Sequence, residues 1–258
     1  MKIISYGNKF RWRAENDTMP TVLPNTQVFT LKLSKRLKQI EQLVTSEYKH
    51  IWDCCCDHGF LGAALLNRQA ADHIHFVDIV PELMSALENK LVRYFPDSKA
   101  WHTHCMNVAE LPLSQFSKDD KHLIIIAGVG GDLMIEFIDA IEQANPDLDI
   151  DFLLCPVHHQ YVLRQKLIEL NYRLKQEVLV EDNQRFYEII LVSSHSRLSQ
   201  EDTPVSPVGD MIWQATTENQ KQVAQQYLTK TLSHYQRIQQ GNATDVSHII
   251  NAYRTVSF

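Results

Sequence analysis

At 258 residues, 44% hydrophobic and 22% charged, the chain has ordinary globular composition and the length to bury a core without disulfides or metal staples. Its formal net charge of −6 supplies no global basic field of the kind that draws nucleic acid. No apolar run approaches membrane-spanning length, the start lacks a secretory signal, and five cysteines without a C-x-x-C pair fit reduced thiols, so a cytoplasmic location is expected.

Residues 1–28, with Pro20, Pro24 and many polar side chains, read as an irregular extension. The next segment, 30–48, places Leu31, Leu33, Leu37, Ile40 and Leu43 at helical spacing with basic residues between them. The first 38 residues hold eight basic side chains against Glu15 and Asp17, a local +6 on a remainder of −12. That start is either a face that holds phosphates or an ordinary solvated, Lys-rich helix start. Apolar runs at 51–56, 74–79, 100–106, 123–127 and 152–155 then alternate with helical patterns at 59–68, 81–94, 132–144 and 159–170. Such alternation predicts an α/β fold with a parallel sheet covered on both faces. Two β-rich runs, 177–181 and 185–192, flank Asp182-Asn183-Gln184 as a closing hairpin. Residues 194–209 read as a polar linker, and 211–240 as a long helix broken at Gly241-Asn242. A second stripe of Val246, Ile249, Ile250, Tyr253 and Val256 completes a helical hairpin or short coiled coil. The expected organisation is an extension (1–28), an α/β domain (29–195), a linker (196–209) and a C-terminal helical hairpin (210–258).

The first strand-to-helix turn reads Asp53-Cys54-Cys55-Cys56-Asp57-His58-Gly59. An S-adenosylmethionine site calls for an acid followed by glycines at alternate positions, so that backbone can approach the cofactor. Asp53 and Gly59 fit that spacing, while Cys55 and Asp57 occupy the two middle positions. A carboxylate at Asp57 would repel a dinucleotide pyrophosphate on the helix N-terminus, yet tolerates ammonium and sulfonium charges. Asp57 fits an N-cap of the following helix equally well. Asp78 ends the second run, 25 positions after Asp53, where an acid can accept hydrogen bonds from both ribose hydroxyls or simply turn the chain. The fourth run ends in Ala127-Gly128-Val129-Gly130-Gly131-Asp132, whose glycines permit positive φ and close approach to a ligand. Ligands of open α/β sheets gather at the carboxyl ends of strands, the edge where Asp57, Asp78 and the glycine loop converge. No G-x-G-x-x-G follows the first strand, which argues against a nucleotide dehydrogenase. Adjacent cysteines on a strand alternate faces, and the pairs His73/His75, His102/His104 and His158/His159 lack a zinc-ligand context, so no metal is expected.

Six segments occur in order: Leu33-Ser34-Lys35-Arg36-Leu37, Asp53 with Asp57-His58 and Leu61, Ile126 to Gly131, Leu154-Cys155-Pro156, Tyr187-Glu188 and Pro207-Val208-Gly209. From residue 31 to about 240 the chain thus resembles the bacterial tRNA adenine(22)-N1-methyltransferase family, TrmK. The resemblance implies a Rossmann-like class I methyltransferase domain that uses S-adenosyl-L-methionine, ends in an antiparallel strand and carries a C-terminal coiled coil. It implies methylation of adenine N1 in tRNA as the activity and RNA as the partner. It places Asp53, Cys55, Asp57, His58, Gly59, Asp78, Ile79, Met106, Asn107, Ala127, Gly128, Val129, Gly130 and Gly131 around the cofactor. Asp57 becomes the catalytic candidate, accepting a proton from the exocyclic amine or positioning it. Lys32, Lys35, Arg36, Pro156 and His158 fall on the substrate side. Departures cluster there too: Cys55 replaces a glycine, Met106 or Asn107 an acid, Cys155 a glutamine and Val157 an asparagine. They leave open a methyltransferase for a small molecule or protein, and a non-catalytic binding module on the same fold.

Overall fold

The computed structural model describes residues 31–194, 203–241 and 244–258, so the expected extension at 1–28 lies outside the described residues. The five apolar runs form strands: four are buried on both faces, as parallel strands between two helical layers must be, and the one at 101–105, on the sheet edge, is only half-buried. In chain order the elements are α1 (Lys35–Leu43), β1 (His50–Cys54), α2 (Phe60–Asn67), β2 (His73–Asp78), α3 (Pro81–Tyr94), β3 (Trp101–Cys105), β4 (His122–Ala127), α4 (Gly131–Ala144), β5 (Ile150–Cys155) and α5 (Gln160–Glu169). The hairpin β6 (Arg173–Asp182) and β7 (Arg185–Ser193), the short β8 (Thr203–Pro204), and helices α6 (Glu218–Gln240) and α7 (Ser247–Arg254) follow. The sheet order is β3-β2-β1-β4-β5-β7-β6-β8, parallel through β5 and antiparallel beyond it. Helices α1, α2 and α3 bury Ile40, Leu65 and Leu87 on one face, whereas α4 and α5 bury Ile138 and Leu163 on the other. Among the described residues no helix is long and apolar enough to cross a membrane.

Several expected boundaries move, each for a local reason. The first helix spans nine residues because Ser34 caps it, its hydroxyl accepting from Leu37 N at 3.3 Å. β1 stops at Cys54 because Cys55 turns to φ 56°, so Cys55 and Cys56 lie off the strand and do not alternate across it. The expected linker is packed structure at its described end: β8 pairs with β6, and Val205 and Val208 are buried. The long C-terminal helix is interrupted. A 3-10 turn at Met211–Trp213 seats Trp213 in the core, and α6 starts only where Thr217 and Gln220 form a capping box.

The two C-terminal helices pack on the α/β layers rather than standing free, and α7, at eight residues, is too short for a sustained heptad repeat. Their anchor is ionic. Fully buried Arg164 bonds Glu177 and Glu188, each at 2.6 Å, and its Nη1 donates to Ser206 O at 3.1 Å. Tyr227 of α6 donates to Glu188 at 2.5 Å, while Glu177 accepts the backbone N–H groups of Asp210 and Met211 at 2.6 and 2.7 Å. Burial opposes the Arg164 charge, but its two carboxylates outweigh it and hold the guanidinium more firmly protonated than usual.

Candidate active site

Three loops meet at the carboxyl edge of the sheet. In the first, Cys55, Asp57 and Gly59 all take left-handed φ angles of 56°, 51° and 69°, winding the chain tightly before α2. Gly59, not Asp57, is the N-cap, and a side chain there would collide with Leu87. Asp57 is thereby free of a capping duty. Its carboxylate is 67% exposed, with His58 Nε2 3.6 Å away. Asp53 lies beneath, 4% exposed, accepting the Gly62 N–H at 2.8 Å. Burial, reinforced by the Asp78 charge and opposed by the Gly62 bond, raises its pKa to about 7. Asp53 therefore shapes the start of α2 from below, while Asp57 faces outward.

Asp78 joins the first two loops. Its Oδ2 accepts the Asp57 N–H and its Oδ1 the Val80 N–H, both at 3.1 Å. Ile79 beside it is 62% exposed, an apolar surface of the kind a nucleobase covers. Met106 N donates to Asp78 O at 3.0 Å, which brings the end of β3 to the same place. Asn107 turns inward and uses its side-chain oxygen to accept from Ala109 N at 3.1 Å. Cys55 packs at the core margin with Met106 and Val129. Burial, with Asp78 and Asp53 nearby, pushes its thiol up to about 12 and keeps it neutral. The cysteine that stands where the resemblance expects glycine is thus accommodated partly as core.

The glycine loop supplies the third wall. Gly128, at φ 95°, is exposed, and a Cβ there would meet only Arg36 Nη1, at 3.9 Å. Such open backbone fits a ligand that needs close approach. The loop is stitched to the one after β5, with Val157 N donating to Val129 O at 3.0 Å and Gly131 N to His158 O at 2.9 Å. A side chain at Gly130 would overlap the His158 ring. Nothing in the sequence separates His159 from its neighbour as a site residue. It sits at φ 61° with Nδ1 2.5 Å from Asp132 Oδ2, tying the same two loops together. Of the substrate-side residues, His158, Lys32 and Lys35 are exposed, whereas Pro156 is buried. Arg36 is half-buried: its N–H bonds Asp182 at 3.2 Å and its guanidinium lies 5.0 Å over the Tyr187 ring, beside Gly128. Among the described residues no group of His, Cys, Asp or Glu is arranged to hold a metal ion.

Known proteins share the fold that carries these loops. Residues 33–190 match the methyltransferase domain family. The tRNA (adenine(22)-N(1))-methyltransferase of Bacillus subtilis (strain 168) is 24% identical over 209 residues, covering 81% of this chain and 84% of that protein. The structure of M. capricolum TrmK with S-adenosyl-homocysteine superposes with a TM-score of 0.63 at 18% identity, over 86% of this chain and 96% of that one. B. subtilis M1A22 tRNA methyltransferase TrmK gives 0.61 at 19% identity, over 88% and 94%. At these identities the two structures establish a common fold, and the domain match spans most of the sheet and its helices. The chain belongs to the methyltransferase domain family, with a sequence similar to that of a tRNA (adenine(22)-N(1))-methyltransferase.

Proposed function

We propose that the chain transfers a methyl group from S-adenosyl-L-methionine to N1 of an adenine in tRNA. The observation that carries this reading is the convergence of exposed Asp57, Ile79 beside Asp78, and the open Gly128 backbone on one sheet edge. Such an edge suits a cationic, phosphate-free nucleoside cofactor better than a dinucleotide. The relative from B. subtilis supports tRNA adenine as the acceptor. Asp78 is the residue for the ribose hydroxyls, Ile79 and Met106 for the adenine faces, and Gly128 to Gly131 for the methionine end.

When bound, the cofactor supplies an electrophilic methyl on a sulfonium. The bond to N1 would form as the S–CH₃ bond breaks, and the positive charge would pass from sulfur to the base. No proton has to leave for that step, so the residues contribute alignment and electrostatics. Asp57 faces the reacting region, accepts from the exocyclic amine and favours the cation on either partner. Arg36, its guanidinium 5.0 Å over the Tyr187 ring, meets the phosphate of the nucleotide drawn out of its stack. Lys32 and Lys35 extend that basic rim.

Calorimetric titration with S-adenosyl-L-methionine, for the parent chain and Asp78→Ala, tests the cofactor site; the parent binds and the variant loses binding. Methyl transfer to total tRNA, with nucleosides resolved by mass, then tests the acceptor. Binding without transfer to tRNA would point to a small-molecule or protein acceptor. A folded parent that binds no cofactor would leave a non-catalytic module.

A further inference from the structure

Six of the twelve histidines stand together on one face of the sheet: His50 on β1, His73 and His75 on β2, His102 and His104 on β3, and His122 on β4. The register brings them side by side, with His50 opposite both His73 and His122, and His75 opposite His102. Phe116, from the segment that joins β3 to β4 without an α-helix, lies against His50, His75 and His122. Rings stack across the strands: His75 on Trp52 at 3.8 Å, His50 on His122 at 4.9 Å, and His75 on His102 at 4.8 Å. None of these residues belongs to the candidate active site.

Hydrogen bonds make the group a directed chain. Asp120 accepts from His50 Nε2 at 3.3 Å, which fixes a proton on that nitrogen. Neutral His50 must then accept at Nδ1, where His75 Nε2 donates at 3.1 Å. Neutral His75 in turn accepts at Nδ1 from His104 Nε2 at 3.0 Å. A parallel link joins His73 Nδ1 and His102 Nε2 at 3.1 Å. Trp52 donates to His122 Nδ1 at 3.2 Å, leaving His122 Nε2 as a buried donor without a partner among the described residues. Charged groups beside the chain are Asp120, on His50 and His122, and Lys49, which pairs with Asp120 at 2.8 Å.

An added proton breaks this logic. His50 or His75, once protonated, turns a donor toward the neighbour's donor, a clash relieved only by passing a proton along to half-buried His104. The other partly exposed rings, His73 and His102, adjoin the same chain, so a second charge would face the first.

We propose that the ladder is a proton-sensitive latch, in which acidification frees edge strand β3 and the 106–120 segment from the sheet. Its consequence for the cofactor, through Met106 and Asn107, rests on the proposed function; the latch itself does not. Burial and the neighbouring histidines hold His75 down to about 2, and burial with His50 beside it holds His122 at about 4. His50, His102 and His104 are lowered too, chiefly by burial. Unfolded, these rings take protons near 6.5, so the unfolded chain binds more of them in acid. Stability is therefore complete above pH 6.5 and falls as pH drops toward 4. Asp53, raised rather than lowered, changes stability in the opposite direction and does not mimic the effect.

The test measures thermal unfolding and amide exchange of the full chain from pH 8 to pH 5, with and without S-adenosyl-L-methionine. Expected are proton uptake on unfolding of about two or more per molecule, and β3 amides that exchange first as pH falls. His75→Gln with His104→Gln should flatten the slope. Should that variant not fold, ring-nitrogen NMR of the parent decides instead, with His50, His75 and His122 as neutral Nε2–H tautomers that do not titrate while β3 stays protected. Ladder histidines that titrate near 6.5 in an intact sheet overturn the latch. So does equimolar Zn²⁺ raising the melting temperature in the parent and not in the variant, which would mark a metal site. Absence of cofactor binding at every pH would overturn the proposed function and leave the latch standing.

Discussion

Asp53 and Gly128 respond to substitution through opposite physics. Asp53 is buried with its pKa raised to about 7, so above that pH the fold contains a carboxylate it solvates poorly. Asn keeps the acceptor for Gly62 N–H and removes the charge. The raised group contributes stability that is complete below its unfolded value near 3.8 and is lost as pH rises through about 7. Asp53→Asn should therefore gain on the parent between pH 5 and pH 8, by roughly 2 kcal/mol at the upper end, read from denaturant unfolding. A difference that stays constant with pH would refute the account. Gly128 has space but the wrong backbone angle for other residues, φ 95° with its nearest prospective neighbour at 3.9 Å. Gly128→Ala should cost about 1–2 kcal/mol in stability. Turnover should fall further, about 10–100-fold, because the new methyl occupies the approach to the reacting atoms. Equal losses in both would make the loop a structural turn and nothing more.

At the scale of elements, the catalytic layers and the C-terminal helices are coupled through the Arg164 network of α5, β6, β7 and α6. Arg164→Met leaves two buried carboxylates without their counter-ion and should cost about 3–5 kcal/mol. Tyr227→Phe removes one bond to Glu188 and should cost about 1–2 kcal/mol. Both are measurable by urea unfolding, and similar small losses would mean that the apolar packing of Trp213 and Tyr253 carries the docking alone. Helix α3 is legible to the residue, since Pro81 marks its first turn and a 3.6-residue period runs to Tyr94. The strand-helix alternation likewise locates Asp57, Asp78 and the glycine loop on one edge. The break before α6 is also visible in principle, because Thr217 and Gln220 spell a capping box inside what reads as one helix. Other features have no local signal. Arg164 meets partners 13 and 24 positions away, and Asp53 is buried against Gly62 of α2, nine positions on. The histidine pairs stand out in the sequence without a zinc context, but only strand register reveals that they form one chain.

For the molecule as a whole, the proposed tRNA substrate would have to be held through a local field, because the net charge is −6. The described part of the basic start offers three kinds of cation. Lys38 is already paired with Glu41 at 2.8 Å, Arg36 is turned toward Gly128 and Tyr187, and Lys32 and Lys35 are exposed. Their environments predict different phenotypes. Lys32→Ala with Lys35→Ala should weaken tRNA binding without regard to the modified position and leave S-adenosyl-L-methionine affinity intact. It should also lower the slope of log affinity against log salt by about 0.7–0.9 for each phosphate no longer neutralised. Arg36→Lys retains charge but gives up the guanidinium's contact with the Tyr187 ring and the two-pronged grip on a phosphate. Its salt slope should stay near the parent's while turnover at saturating tRNA falls, because the nucleotide is bound but held loosely at the reacting edge. The two variants measured together separate attraction from placement. If Arg36→Lys changed the slope and spared turnover, Arg36 would be one more rim cation, and the positioning of the base would have to come from His158 and Asp57.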